Sequence, residues 1–251
     1  MEYEVIILGA TFAAAGLIEK YKEKALILER RPQAGYEFFN AINFGCEYDA
    51  ELKSDESKML FERFKAKNIF TGERICLFDC AYDFYKCLAD KNVLLNMEII
   101  SIQKEQNGFL VTAHGVSGYR TYKAKRVIDT RVHKDMILSK TLNAVLKTSG
   151  LKNFVLPENI KMEKWGYGDD IVVKCMLLPD DDYISARRKL FGTFENMHED
   201  LKPLLVADAF DYKLKDGCVA EKDGIYYMPS CAYKNPLLAF DAGVVYASEG
   251  R

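Results

Sequence analysis

The residues most suggestive of chemistry are a glycine-led segment near the start of the chain and an acid that follows it. Residues 9–14 read Gly-Ala-Thr-Phe-Ala-Ala, and Glu29 lies twenty positions after Gly9. A glycine turn that opens a helix presents backbone N–H groups and the positive end of the helix dipole, which favours an anion such as a pyrophosphate. An acid at this distance can accept hydrogen bonds from ribose hydroxyls. The pattern predicts a dinucleotide-binding site.

The elements that would position these residues can be read on either side of them. The run Val5-Ile6-Ile7-Leu8 is short and apolar, as expected for a parallel strand that is buried on both faces. Apolar residues then recur at helical spacing, and a second apolar run at 25–28 ends immediately before Glu29. This order predicts a β-α-β unit. The alternative is an ordinary buried β-α-β unit that binds nothing.

The turn departs from the dinucleotide-binding sequence G-x-G-x-x-G/A at its centre. Gly9 and the permitted Ala14 occupy the outer positions, but Thr11 replaces the middle glycine, which normally lets the pyrophosphate approach the main chain. The Thr11 hydroxyl could donate to a phosphate, or its branched side chain could hold the ligand away. Glu29 would repel a 2′-phosphate, although Arg30 and Arg31 weaken that argument.

The composition is that of an ordinary globular protein. The chain has 251 residues, of which 49% are hydrophobic and 29% charged, and its net charge is −2. This charge gives no electrostatic reason to expect nucleic acid or a membrane surface as a partner. The seven cysteines form no C-x-x-C pair, and the three histidines show no metal-ligand spacing. We therefore expect a cytoplasmic protein without a metal site.

The rest of the chain alternates between helical and strand patterns. Helices are predicted over about 55–67, with Ser54 or Asp55 as the cap, and over 76–90. Strands are predicted at 93–95, at 98–102 and 108–113 as a hairpin, at 121–124, and at 126–130. Further along, the patterns indicate a strand at 171–178, a helix to about 197 that is capped by the acid run 180–182, and an outer strand at 207–214. For the acid run, a cap is favoured over a metal site.

This order of elements resembles that of the FAD-dependent oxidoreductases with the glutathione-reductase-type flavin fold. The segment Val127-Ile128-Asp129-Thr130 is similar to the family's strand near Ala-Thr-Gly, and Glu29 with Gly35 is similar to its E-x-x-x-x-x-G-G sequence. Residues 224–243 resemble the family's final strand and helix. Arg131 stands where the last glycine of Ala-Thr-Gly would fall, and the Gly-Asp that usually precedes the last helix has no clear counterpart.

The resemblance implies an α/β fold with a Rossmann-like FAD-binding domain, whose central sheet is mostly parallel and carries a small antiparallel β unit. Residues 1–149 and 223–251 would form this domain, and residues 150–222 a short α+β substrate or cap insert. FAD is the implied cofactor. The residues expected to bind it are Gly9, Ala10, Thr11, Phe12, Ala13, Ala14, Glu29, Arg30, Ile99, Thr130, Asn235, Pro236, Leu237 and Leu238.

The implied function is that of a flavoprotein oxidoreductase acting on a small molecule. No catalytic base can be assigned; Trp165, Tyr167 and Lys174 are the polar-tipped side chains to follow in the insert. Because the insert is short for this family, the active site would be open or completed by another subunit, either a second copy or a different chain. Two alternatives remain, namely a non-catalytic flavin-fold protein that serves as a binding or assembly partner, and a protein that binds NAD in the first site.

Overall fold

The computed structural model describes residues 2–71, 74–147, 157–164, 171–195 and 201–250. Its helices are α1 (Phe12–Tyr21), α2 (Asp55–Ala66), α3 (Ala81–Leu88), α4 (Tyr183–Glu195) and α5 (Pro236–Ser248). Its strands are β1 (Glu2–Leu8), β2 (Ala25–Leu28), β3 (Phe70–Thr71), β4 (Arg74–Ile75), β5 (Val93–Leu94), β6 (Glu98–Glu105), β7 (Gly108–Gly115), β8 (Gly118–Asp129), β9 (Ile137–Lys147), β10 (Ile160–Lys164), β11 (Ile171–Leu177), β12 (Lys202–Val206), β13 (Asp211–Leu214), β14 (Ala220–Lys222) and β15 (Ile225–Tyr227). No described helix has both the length and the apolar character needed to cross a bilayer.

The predicted α/β fold with a mostly parallel central sheet is confirmed. The strand order in the first sheet is β14-β15-β8-β1-β2-β5, and all of these neighbours pair in parallel except β14 and β15. The hairpin of β6 and β7 joins this sheet through an antiparallel pairing of β7 with β8. This hairpin is the small antiparallel unit expected from the sequence.

Strand β1 lies at the centre of this arrangement because both of its faces are covered. Val5 and Ile7 pack in the larger core cluster with residues of α1 and α5, whereas Ile6 and Leu8 pack in a second cluster with residues of β7 and β8. All four side chains have 0% exposure. The unbroken apolar run that predicted a doubly buried strand therefore has this cause. The buried strand also fixes the position of the turn at Gly9.

The sequence prediction of separate strands at 121–124 and 126–130 is wrong. Residues 121–129 belong to the single strand β8, which pairs with β7 along its first half and with β1 along its second half, and Thr130 follows it. The strand leaves the antiparallel hairpin and continues directly into the parallel sheet, so no turn interrupts it. The predicted helix at 76–90 is also shorter, since a 3₁₀ turn at Leu77–Cys80 precedes α3.

The second sheet is antiparallel and has the order β10-β11-β9-β12, with β13 also paired to β9. The predicted strand at 207–214 is wrong in its first half, because residues 207–210 connect β12 to β13. The two strands pair with different parts of β9, so the chain must step along that strand between them. This sheet begins at Ile137 and β14 belongs to the first sheet; the division at residues 150 and 222 stays a prediction.

Two predicted helix caps are confirmed. The Ser54 hydroxyl accepts a hydrogen bond from the Ser57 amide at the start of α2. Asp182 Oδ1 accepts from the Ser185 amide at 2.7 Å at the start of α4, so this member of the acid run serves the helix. The part of that prediction that reaches residue 197 lies outside the described residues.

Helices α1 and α5 approach each other closely at two glycines. A Cβ atom built on Gly243 would overlap the carbonyl oxygen of Ala13, and one built on Gly16 would overlap the carbonyl oxygen of Phe240. The obstructing atoms belong to the backbone and cannot rotate away. The start of α1, which carries the predicted cofactor residues, is therefore held at a fixed distance from α5.

We expect Gly243→Ala to lower the free energy of unfolding by about 1–3 kcal/mol, the usual cost of overpacking. The matched control is Gly192→Ala in α4, where an added Cβ has no atom within 4 Å. This control should raise stability by about 0.5–1 kcal/mol because alanine is a better helix former. Urea unfolding measures both changes, and equal stability of Gly243→Ala and the unmodified protein would contradict the close approach.

Candidate functional site

The predicted turn residues, Glu29 and Thr130 meet at one place in the structure. Gly9 follows β1, Glu29 follows β2 and Thr130 follows β8, and these three strands are neighbours in the parallel sheet. Their carboxyl ends face the start of α1, the edge at which open α/β sheets bind ligands. These segments therefore converge at one edge of the sheet, and their binding of a cofactor stays a prediction.

The turn is tight and Thr11 caps the helix that follows it. Gly9 has a φ of +93°, a conformation that favours glycine, and its amide donates to Leu28 O at 2.9 Å. Thr11 Oγ1 accepts from the Ala14 amide at 3.2 Å and donates to Thr130 Oγ1 at 2.8 Å. Thr11 and Ala14 have 0% exposure. The Thr11 hydroxyl is thus committed to the helix cap and to Thr130 and is not directed at a ligand.

Glu29 lies where the sequence placed it, but its partners are backbone amides of the protein. Oε2 accepts from the Ala10 amide at 2.9 Å, and Oε1 accepts from the Arg31 amide at 2.8 Å. The residue is 1% exposed, whereas its neighbour Arg30 is exposed. The carboxylate expected to hold ribose hydroxyls therefore supports the turn itself.

A second buried acid, Glu37, lies at the N-terminus of α1. Its Oε1 accepts from the Phe12 amide at 2.8 Å and from the Ser230 hydroxyl at 2.8 Å. Ser230 Oγ also lies 3.4 Å from the Ala13 amide, for which it is the acceptor. We call the Phe12 and Ala13 amides and the Ser230 hydroxyl the anion site, and the Glu37 carboxyl group occupies it.

The environment of Glu37 opposes its ionisation. Glu37 is 3% exposed, and Oε2 has no hydrogen-bond partner among the described residues. Burial raises the pKa of Glu37 to about 7; the bonds from Phe12 and Ser230 lower it, and nearby Glu29 raises it. A carboxyl group with this pKa changes charge in the neutral range. The state of the anion site therefore depends on pH.

An aromatic cluster holds the segment around Glu37 against α1. The Phe12 ring stacks on Phe84 with centroids 4.0 Å apart, and it meets the rings of Phe38 and Phe39 edge-on at 5.4 Å. The Gly35 amide donates to Ala10 O at 2.8 Å, which ties the same segment to the turn. The position of Glu37 is thus set by apolar packing on its C-terminal side and by the backbone on its N-terminal side.

Arg131, which replaces the family glycine, lies directly against the turn. A Cβ atom built on Gly9 would be 2.7 Å from Arg131 Cγ. The guanidinium binds buried Asp129 through Nη2 at 2.7 Å and Nε at 2.9 Å, and His133 Nε2 lies 2.9 Å from the same carboxylate. Burial raises the pKa of Asp129, but the combined effect of Arg131 and His133 lowers it by more. The net pKa of Asp129 is therefore below its ordinary value. These charges neutralise one another beside the turn.

The residues predicted at the start of α5 are covered by residues 43–47. Asn235 Oδ1 caps the helix by accepting from the Leu238 amide at 2.9 Å, and Asn235 Nδ2 donates to the carbonyls of Cys46 and Glu47. Pro236 and Leu237 are buried. Ile99 lies apart from this group, since it is half-buried and packs in the second core cluster.

A cavity of about 770 Å³ lies between the second sheet and the segment 231–234 that leads to α5. Lys174 lies in its wall and forms ion pairs with Asp211 at 3.1 Å and Glu163 at 3.2 Å. Burial lowers the pKa of Lys174, but the two acids raise it above its ordinary value. Trp165 and Tyr167, the other side chains followed from the sequence, lie outside the described residues. The described part of the chain contains no group of three or more potential metal ligands.

Glu37 and Ser230 lie at the anion site but were not predicted from the sequence. A faint signal for Glu37 existed, because it is an acid placed between Gly35 and the apolar pair Phe38-Phe39 in a loop that follows the predicted ribose acid. Ser230 carried no comparable signal, since its role depends on a contact with Ala13 over 217 positions of sequence.

The anion site can be tested for its fit to the diphosphate of FAD. A diphosphate needs the N–H groups at the start of α1, yet those of Phe12, Ala13 and Ala14 already donate to Glu37, Ser230 and Thr11. An ionised carboxylate and a diphosphate also repel each other at such close range. The residues as arranged here do not fit the diphosphate while Glu37 holds this position.

No protein-family model and no curated protein sequence matches the chain. Solved structures do match. Tetracycline destructase Tet(51) has a TM-score of 0.66 and 14% identity, over 99% of this chain and 82% of that one. Glycine oxidase from Geobacillus kaustophilus has a TM-score of 0.62 and 13% identity, over 98% of this chain and 94% of that one.

A third neighbour is OxyS anhydrotetracycline hydroxylase from Streptomyces rimosus, with a TM-score of 0.60 and 12% identity over 90% of this chain. For OxyS and two other neighbours, the chain spans about three fifths of their own length. Identities this low establish the fold alone. The chain therefore shares the fold of this tetracycline destructase, this glycine oxidase and this anhydrotetracycline hydroxylase.

Proposed function

We propose that this chain is an FAD-binding oxidoreductase that acts on a small molecule. The observation that carries the proposal is the anion site. It lies at the carboxyl ends of the parallel strands, at the N-terminus of α1, and its Phe12 amide and Ser230 hydroxyl hold the Glu37 carboxyl group where a phosphate oxygen would bind once Glu37 had left. Donors and a helix dipole directed at one point are what a phosphate group requires.

The proposal gives each part of the site a task. The turn Gly9–Ala14 would lie beside the diphosphate, with Thr130 supporting Thr11, and Glu29 would lie near the adenosine ribose with Arg30 at the surface. Ile99 would approach the adenine, and the start of α5, Asn235–Leu238, would approach the flavin ring. The flavin would supply the electron transfer, and the protein would supply position, charge and access.

The cavity beside Lys174 is the proposed place for the substrate. Its volume of about 770 Å³ falls within the range of about 300–1,000 Å³ that is usual for small-molecule sites. It adjoins residues 231–234, which lead into the helix expected to approach the flavin. The ion pairs of Lys174 with Asp211 and Glu163 would give this wall a polar, charged character suited to a polar substrate.

A second candidate is a non-catalytic flavin-fold protein that serves as a binding or assembly partner. One observation favours it: the first three amides of α1 all have acceptors within the protein, and residues 10–15 are buried. NAD in the first site would meet the same Glu37 carboxylate as FAD, so this observation does not favour the third alternative.

We expect FAD to raise the melting temperature of the purified protein at pH 6, whereas a rise with NAD alone would support the third alternative. A ligand that binds the folded state at a hundredfold excess over its Kd adds about 2.7 kcal/mol of stability. For a chain of this size, this corresponds to roughly 5–11 °C. Thermal-shift measurements and the absorbance spectrum after removal of free FAD provide the readouts. The absence of both changes in the unmodified protein and in Glu37→Ala would favour the second candidate.

A further inference from the structure

We propose that Glu37 is the residue that sets the affinity of this chain for a diphosphate, because its carboxylate occupies the anion site in place of the ligand. A diphosphate binds as that carboxylate leaves the Phe12 amide. The inference rests on the proposed function and adds to it a specificity-determining residue within the same site.

A bound diphosphate and the Glu37 side chain would need the same hydrogen-bond donors. Glu37 Oε1 holds both the Phe12 amide and the Ser230 hydroxyl at 2.8 Å. Phe12 is the first residue of α1, and Ser230 comes from the connection between β15 and α5. The carboxylate therefore links the two segments that a bound FAD would have to contact. Glu37 and a diphosphate exclude each other at these donors.

Only one of the two carboxylate oxygens of Glu37 has hydrogen-bond partners in this position. Oε2 is buried and has no partner among the described residues. A buried oxygen without a partner carries a desolvation cost, which is larger for a charged group. Release of Glu37 to another position would recover that cost. Hydrogen bonds to Oε1 therefore stabilise the side chain in this position, whereas burial of the unpaired Oε2 destabilises it.

The groups around Glu37 determine which charges change near neutral pH. Several titratable or charged groups face Glu37: Glu29 after β2, Tyr36 beside it, Tyr85 of α3, and Cys231 after Ser230. Burial raises the pKa values of Tyr36, Tyr85 and Cys231, which therefore remain neutral near pH 7. Unlike Tyr36, Tyr85 and Cys231, Glu37 changes its charge in the range from pH 6 to 8, since its pKa is about 7.

The direct test is the Kd for FAD, measured by quenching of flavin fluorescence, in three variants and the unmodified protein. Glu37→Ala removes the competing group, and Glu37→Gln removes the charge but keeps an oxygen that can accept from Phe12. Glu62→Gln is the matched control, on the exposed surface of α2. At pH 8 we expect Glu37→Ala to bind FAD about tenfold more tightly than the unmodified protein, Glu37→Gln to lie between them, and Glu62→Gln to be unchanged.

The pH dependence of the unmodified protein gives a second test that needs no variant to fold. Protonation of Glu37 removes the negative charge, so FAD should bind more tightly below the pKa. With a pKa of about 7, the Kd should rise about tenfold between pH 6 and pH 8. Glu37→Gln should lose most of this change. Inorganic pyrophosphate, which carries the diphosphate alone, should compete with FAD in Glu37→Ala.

Measurements of stability against pH test the buried position of Glu37 without any ligand. They are therefore independent of the proposal about FAD. Because the folded-state pKa lies above the usual value of about 4.5, the folded protein holds a proton that the unfolded chain has lost, so stability falls as pH rises from about 4.5 through 7. Glu37→Gln cannot ionise, so its stability relative to the unmodified protein should increase from pH 5 to pH 8. Urea unfolding measures this difference without any ligand.

The outcomes are distinct. Equal Kd values for FAD in the unmodified protein, Glu37→Ala and Glu37→Gln would overturn the role of Glu37 and leave the proposed function standing. Absence of FAD binding in every variant at both pH values would overturn the proposed function and this inference together. Tighter binding in Glu37→Ala, with the pH change lost in Glu37→Gln, would establish the inference.

Discussion

The structure depends on one constraint, which is that the N-terminus of α1 is buried and its free amides need acceptors. The amides of Phe12, Ala13 and Ala14 donate to side-chain oxygens. The acceptors are Glu37, Ser230 and Thr11 respectively. These acceptors come from the turn, the loop after β2 and the connection to α5. Because an unpaired buried amide is costly, all three segments are drawn to one point. These hydrogen bonds act together with the packing of Phe12 on Phe38 and Phe84 to hold the loop around Glu37 against α1.

The same constraint links the fold to the proposed chemistry. A helix that begins at the carboxyl ends of parallel strands concentrates donors and positive potential at that edge of the sheet. In this chain an internal carboxylate uses that potential. The structure therefore has donors for an anion at this edge of the sheet, and under our proposal the Glu37 side chain that occupies them decides whether a dinucleotide can enter. Possession of the fold and occupation of its cofactor site are separate questions.

Local patterns in the sequence were enough to predict much of the fold. The β-α-β unit was predicted from the apolar run in β1, the turn at Gly9 and the distance to Glu29. This was possible because a strand that is buried on both faces is a short, continuous run of apolar residues. Local patterns failed where pairing over long distances decides the outcome. Strand β8 pairs first with β7 and then with β1, and β12 and β13 pair with different parts of the single strand β9.

The candidate site was predicted in position but not in its bonding. Gly9, Thr11, Glu29 and Thr130 meet as expected, yet Glu29 and Thr11 bind the protein itself. No spacing rule could place Glu37 at Phe12, since that contact follows from the packing of Phe12, Phe38 and Phe84 in three dimensions.

A crystal structure of the protein with FAD is the most direct test of the central claim. The account predicts that a diphosphate oxygen accepts the hydrogen bond from the Phe12 amide and that the Glu37 carboxylate has left this position. A complex in which FAD is bound while Glu37 still accepts from Phe12 and Ser230 would contradict it.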